Sequence, residues 1–260
     1  MNSVSGFALI TGASSGIGLD FARELASRGY SLILTARRAE RLEQVKSEIE
    51  KEFEVAVYCV PADLGSSAGV RGLYNEIERS GWDVSVLVNN AGLGHWGDFF
   101  DTDYEKVRET LQVNLHAPTE LAWLVGRNMK RAKRGFILNV SSYSAFQPPT
   151  ELAVYAGTKS YLLSLSQAIK LGLRSHNVSV TALCPGFFRS EFFDSAGLQP
   201  SRLTRTFMLS SRTVARAGIK GMFKRKLIVV PGLAFKFSLL MTRLLPRSMA
   251  TSTANYVMRN

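Results

Sequence analysis

The fold is decided in the stretch Phe7-Ala8-Leu9-Ile10-Thr11-Gly12-Ala13-Ser14-Ser15-Gly16-Ile17-Gly18. A short apolar, strand-like run passes directly into a glycine-rich turn, and a helical pattern begins at its far end. Exposed backbone N–H groups and the positive end of the helix dipole suit such a turn to a pyrophosphate, while missing Cβ atoms let a nucleotide and the helix approach closely. Gly12, Ser14, Ser15, Gly16, Ile17 and Gly18 are therefore candidate nucleotide contacts. The spacing is G-x-x-x-G-x-G rather than G-x-G-x-x-G. Glycines alone also mark plain turns, so the strand before and the helix after carry the nucleotide reading.

Outward from this turn, short β-rich runs alternate with longer helical patterns. Seven candidate strands fall at 7–11, 31–36, 55–60, 84–89, 135–140, 178–184 and 227–230. Several are nearly continuous apolar runs, as parallel strands covered on both faces should be, and the intervening segments are long enough for crossover helices. The expectation is an α/β chain, a doubly wound parallel sheet of seven strands with helices on both faces. Its ligand belongs at the carboxyl ends of the strands. Without an internal repeat, low-complexity tract or linker, residues 1–260 read as a single domain. Within it, region 186–226, irregular to about Ser211, reads as a substrate-side cover, and 231–260 as a basic amphipathic C-terminal extension.

The second strand ends in Thr35-Ala36-Arg37-Arg38, without the carboxylate that would accept a hydrogen bond from a ribose 2′-OH. Arg37 can instead pair with a 2′-phosphate, with the Ser14 hydroxyl adding a contact, which favours NADP(H) over NAD(H). The bland alternative is a surface arginine at the start of a helix.

The charge is unevenly placed. Residues 1–194 hold 20 Lys/Arg against 21 Asp/Glu, whereas residues 195–260 hold 12 Lys/Arg and no acidic residue, so the formal charge of +11 resides in the last quarter. That asymmetry suits an anionic membrane surface, a carrier protein or CoA, or simply a solvated basic face. No nucleic-acid-binding motif accompanies it, and nucleic acid is not expected. Cys59 and Cys184 follow no metal-ligand spacing and read as buried free thiols, with no metal site. The N-terminus lacks the basic start and apolar length of a signal peptide, so the expected location is cytoplasmic, with peripheral membrane association as an addition.

Tyr155 and Lys159 stand four residues apart in a helical pattern and project from one face. Tyr-x-x-x-Lys arises by chance about once in several hundred residues, so context must lift it. Asn139-Val140-Ser141-Ser142 ends a strand just before that helix, where a serine hydroxyl could face the tyrosine across a pocket.

With Asp63-Leu64, Asn89-Asn90-Ala91-Gly92, Asn114 and Pro185-Gly186 in order, the chain resembles the short-chain dehydrogenase/reductase family of about 250 residues, over roughly residues 5–230. The resemblance implies a Rossmann-type fold and carbonyl–alcohol interconversion with Tyr155 as acid/base. Lys159 and the oxidised nicotinamide would lower the phenol pKa, and Ser142 would hold the substrate oxygen. Asn114 would position a water joining Lys159 to solvent. Cofactor contacts would come from Asp63 and Leu64 near the adenine, and from Asn90, Ala91 and Gly92 along the adenosine side. Pro185, Gly186, Phe188 and Ser190 would surround the nicotinamide amide, with Tyr155 and Lys159 beside them. Each has a plain structural alternative, such as Asp63 capping a helix or Pro185-Gly186 forming a turn. The chain departs from the family pattern at Ser190, at Gly157, and most of all past Val230, where substrate and subunit pairing are least transferable.

Leu233, Phe237, Leu240, Met241 and Leu244 recur at helical spacing, with Lys236, Arg243 and Arg247 nearby. They suit a helix covering the sheet or pairing subunits as a homo-oligomer (dimer or tetramer), or one lying on a membrane while an acyl or lipid-like substrate is collected. The competing reading of the whole chain is a catalytically idle NADP(H)-binding regulatory or membrane-peripheral protein. Retention of Ser142, Tyr155, Lys159 and Asn114 argues against it.

Overall fold

The computed structural model describes residues 6–189, 196–197 and 205–242. In chain order the elements are β1 (Phe7–Thr11), α1 (Gly16–Ala26), β2 (Ser31–Thr35), α2 (Ala39–Glu52), β3 (Val57–Cys59), α3 (Ser67–Arg79) and β4 (Val84–Asn89). There follow α4 (Tyr104–Leu111), a π-helical turn (Gln112–His116), α5 (Ala117–Ala132), β5 (Gly135–Val140), α6 (Ala153–Leu173) and β6 (Val178–Leu183). The last are α7 (Ser211–Phe223), β7 (Ile228–Val229) and α8 (Leu233–Thr242). The seven strands form one parallel sheet in the order β3-β2-β1-β4-β5-β6-β7. This is the doubly wound Rossmann-type sheet expected from the alternating pattern.

Strand alternation sends side chains to two cores. Ala8 and Ile10 of β1, Leu32 and Leu34 of β2, and Leu138 of β5 meet Phe21 of α1, Leu42 of α2 and Ile219 of α7. Leu9, Ile33 and Ile137, the residues between them, face Leu73 of α3 and Leu121 of α5 on the other side. The helices α3, α4 and α7 begin on side-chain caps, with Ser66, Asp103 and Ser210 accepting from their backbone N–H groups. A buried chain of amides ties the sheet to α6: Asn89 Nδ2 donates to Asn139 Oδ1 at 2.9 Å, and Asn139 Nδ2 to Ser166 Oγ at 2.8 Å.

Three expectations change. The edge strands β3 and β7 are shorter than read, because each has a neighbour on one side only; ladder-like bonds from Leu32 to Ala56 and from Ala182 to Leu227 mark where pairing fades. Region 186–226 is not one cover, since α7 within it buries Val214, Ala215, Ile219 and Met222 against the sheet and α1. In α8 the apolar stripe does not cover the sheet, the first of the alternatives it suited: Leu233, Phe237 and Leu240 are exposed, and Phe235 and Leu239 make the contacts with the body. Leu244, Arg243 and Arg247 lie outside the described residues. Both cysteines are free thiols, Cys59 half-buried and Cys184 buried.

Candidate active site

The order of the sheet reverses between β1 and β4, and the carboxyl ends of these two strands build the first half of the site. Thr11 Oγ1 accepts from the backbone N–H groups of Asn90 and Ala91, both at 2.9 Å. Asn90 Nδ2 answers by donating to the carbonyls of Thr11 at 2.8 Å and Gly12 at 3.2 Å. Asn90 thus braces the glycine turn. A Cβ on Gly18 would lie 2.0 Å from the Gly12 carbonyl oxygen, so that glycine lets helix and turn touch. Gly16, at φ +54°, would carry a Cβ into open space, and no side chain caps the first turn of α1. Free access at Gly16 and an uncapped helix start fit a bound phosphate.

Arg38, not Arg37, reaches this turn. Arg38 Nη2 donates to Ser14 Oγ at 3.2 Å and Ser15 Oγ at 3.1 Å, and Arg41 Nε to the Ser14 carbonyl at 3.3 Å. Arg37 instead forms an exposed ion pair with Glu109 at 3.4 Å. Successive residues leaving a strand alternate in direction, and the dipeptide Arg37-Arg38 gives no sign of which one turns inward. Asp63 and Leu64 follow β3 beside the end of β2, joined there by the Ala62 N–H to the Ala36 carbonyl. The Asp63 carboxylate accepts from the Gly65 N–H at 3.0 Å, and Leu64 is buried in the core.

The second half lies beyond β5 and on α6. Ser142 and Tyr155 share a side-chain hydrogen bond, and the Lys159 ammonium stands 5.4 Å from the centre of the Tyr155 ring. Lys159 is 3% exposed and donates to the Val140 carbonyl at 2.9 Å, while Ser141 Oγ donates to the Lys159 carbonyl at 2.7 Å. Burial pushes the Tyr155 phenol up to about 12 against the opposing bond with Ser142. Burial also lowers Lys159 to about 8. The phenol is governed here by desolvation, opposed by the bond with Ser142 and reinforced by Cys184, and no lowering by the Lys159 ammonium accompanies them. Cys184, missed as a neighbour of this group, is buried against it and held up at about 12 by desolvation.

Asn114 sits in the π-helical turn and is buried. Its side chain clamps Leu93, donating to that carbonyl at 2.7 Å and accepting from that N–H at 2.8 Å, and also donates to Thr158 Oγ1 at 3.2 Å. Gly92 closely approaches both Lys159 and Asn114: a Cβ there would be 3.3 Å from Lys159 Nζ and 3.4 Å from Asn114 Oδ1.

The substrate side contains residues that spacing could not reveal. Trp96, Leu152 and Ala196 pack with Tyr155 as an apolar wall, tied by the Trp96 N–H to the Ala196 carbonyl at 2.9 Å. The Pro185 carbonyl accepts from the Tyr143 N–H at 2.8 Å, linking the turn after β6 to the serine turn. Phe188 is bridged to Leu209 and packs on the core, while Phe235 of α8 lies directly on Gly186. Ser190 lies outside the described residues.

Fold and site together define a Rossmann-type α/β domain with Ser142, Tyr155 and Lys159 gathered at the carboxyl edge of its sheet. The family described as "short chain dehydrogenase" matches residues 6–200, and the chain belongs to that family. The very-long-chain 3-oxoacyl-CoA reductase of Pyrenophora tritici-repentis (strain Pt-1C-BFP) is 36% identical over 180 residues, covering 67% of this chain and 52% of that protein. The Homo sapiens protein of the same description is 31% identical over 188 residues, covering 70% and 59%. The chain therefore spans little more than half the length of these relatives. Among solved structures, a short-chain dehydrogenase from Sphingobium yanoikuyae in complex with NADPH is 30% identical, with a TM-score of 0.82 over 92% of this chain and 93% of that one.

Proposed function

We propose that the chain is an NADP(H)-dependent reductase of a long-chain 3-oxoacyl thioester. The observation that carries the reaction is the convergence of Tyr155, Ser142 and Lys159 at the carboxyl edge of the sheet, beside the braced glycine turn. The backbone of Gly12 to Gly18 would hold the pyrophosphate, and Arg38, with Ser14 and Arg41, the 2′-phosphate. Asp63 and Leu64 would flank the adenine, Asn90 to Gly92 the adenosine side, and Lys159 with Pro185, Gly186 and Phe188 the nicotinamide end. When bound, the nicotinamide supplies hydride to the carbonyl carbon. Arg37 is left to its pair with Glu109.

With its pKa near 12, Tyr155 carries its proton at neutral pH and is in the form that can donate to a carbonyl oxygen. Ser142 donates a second hydrogen bond to that oxygen and fixes its position. Lys159, brought down to about 8, can return a proton towards Tyr155. Asn114 holds the Leu93 backbone and Thr158 in place around Lys159. The acyl chain would run along Trp96 and Leu152, which supply apolar surface beside Tyr155. Substrate length is supported by the descriptions of the relatives.

The test is NADPH oxidation with 3-oxoacyl-CoA thioesters of increasing length, alongside simple ketones and aldehydes. kcat/KM should rise with acyl length. Small aldehydes turned over as well as long thioesters would overturn the substrate assignment.

A further inference from the structure

The helix α8 has two unlike faces, and among the described residues only one is engaged. Inward, Phe235 is 9% exposed, and its ring occupies the space a Gly186 Cβ would need, 2.2 Å from that position. The ring centre lies 5.4 Å from Tyr143 and 5.9 Å from Phe187. Tyr143 Oη donates to Ser238 Oγ at 2.7 Å. Because Tyr143 follows Ser142 directly, α8 is seated against the turn that carries the substrate-orienting serine. Outward, Leu233, Phe237 and Leu240 are 82%, 65% and 54% exposed, and their spacing of four and three residues aligns them as one stripe.

We propose that this stripe is the docking surface for an anionic lipid bilayer and that it holds the turn carrying Ser142 near the membrane surface. The proposal deepens the lipid-substrate reading above by naming where such a substrate is met. Its occupant is argued from charge. Exposed Lys236 sits between Leu233 and Phe237, and residues 195–260 hold 12 Lys/Arg without one Asp or Glu. Two α8 helices laid face to face would bring their Lys236 ammonium groups towards one another, and each chain carries the same basic excess, which disfavours a second copy as the occupant. Anionic headgroups above an apolar layer match both the stripe and the charge. The helix as described has ten residues, and no helix among the described residues is long and apolar enough to span a bilayer.

The experiment is co-sedimentation of the full chain with phosphatidylcholine vesicles with and without phosphatidylserine, comparing wild type with Leu233→Ser/Phe237→Ser. Wild type should bind the anionic vesicles and release them as NaCl rises from about 50 to about 500 mM. The double variant should bind at least about tenfold more weakly, with unchanged thermal unfolding and unchanged reduction of a short soluble ketone. Equal binding by the variant, or equal binding to neutral vesicles, would overturn the proposal. So would a lower unfolding temperature in the variant, which would mean the chain itself covers the stripe, or a change from oligomer to monomer, which would identify a second copy. Vesicle binding is read without turnover, so an inactive enzyme leaves this test intact. Absence of binding leaves the reductase assignment intact.

Discussion

Lys159 donates to the Val140 carbonyl at 2.9 Å from a position almost wholly out of water. One hydrogen bond does not replace full hydration of an ammonium, and burial lowers the group from 10.5 to about 8. The unfolded chain therefore binds more protons than the folded chain between those values. Stability from this group is depressed below about pH 8 and is regained as pH rises towards 10.5. Lys159→Met removes the titration while keeping most of the volume. Its stability advantage over wild type in urea unfolding should shrink between about pH 7 and about pH 10, while turnover is lost at every pH. A pH-independent difference would show that the ammonium is not desolvated as the geometry implies.

Tyr155 is expected to act as the proton donor, so Tyr155→Phe should lower kcat by about 10²–10⁴-fold with NADPH binding retained. Ser142→Ala should also lower kcat, since it removes a hydrogen bond that steadies the same oxygen. Single-turnover reduction with the best substrate measures both. Full activity in the phenylalanine variant would assign the proton to another group.

Cofactor choice separates the two arginines. Arg38 touches Ser14 and Ser15 of the glycine turn, whereas Arg37 pairs with Glu109. Arg38→Ala should weaken NADPH binding by about ten- to a hundredfold and NADH binding far less, because a charge-assisted hydrogen bond is worth about 1.5–3 kcal/mol. Arg37→Ala should change both little. Titration calorimetry with the two nucleotides decides, and the reverse ranking would restore Arg37 to the 2′-phosphate.

What was legible in the sequence was local. Gly12 to Gly18 and the Tyr155–Lys159 pair are fixed by spacing along one turn and one helix, and the seven strands by apolar runs between helical patterns. The inward turn of Arg38 depends on how β2 exits the sheet, which the residue pair itself does not encode. The wall of Trp96, Leu152 and Ala196 joins three segments distant in the chain. The inner face of α8 was hidden for another reason: apolar residues lie on both its sides, so periodicity alone does not distinguish Phe235 and Leu239 from Leu233 and Phe237.

The buried amide chain makes a stability prediction. Asn139 accepts from Asn89 and donates to Ser166, and all three residues are within 3% of complete burial. Asn139→Ala would leave a donor on Asn89 and an acceptor on Ser166 unpaired, costing about 1–3 kcal/mol for each group that finds no water. Urea unfolding should show the loss. A neutral result would mean that solvent enters the gap.

The contact of Phe235 with Gly186 predicts coupling between the helix and the site. In Gly186→Ala the new Cβ would fall 2.2 to 2.4 Å from three atoms of the ring, and Tyr143 and Phe187 limit where the ring can retreat. Overpacking of this kind costs about 1–3 kcal/mol. Phe235→Ala alone should cost up to about 3–5 kcal/mol through the cavity it leaves. Combined, the small side chain makes room for the added methyl, so the double variant should be more stable than the sum of the two losses by about 1 kcal/mol or more. Additive losses would mean that ring and glycine do not share the space. Gly186→Ala should also lower kcat, since Tyr143 lies between the displaced ring and Ser142, and restoring kcat by adding Phe235→Ala would show that the strain reaches the serine through α8.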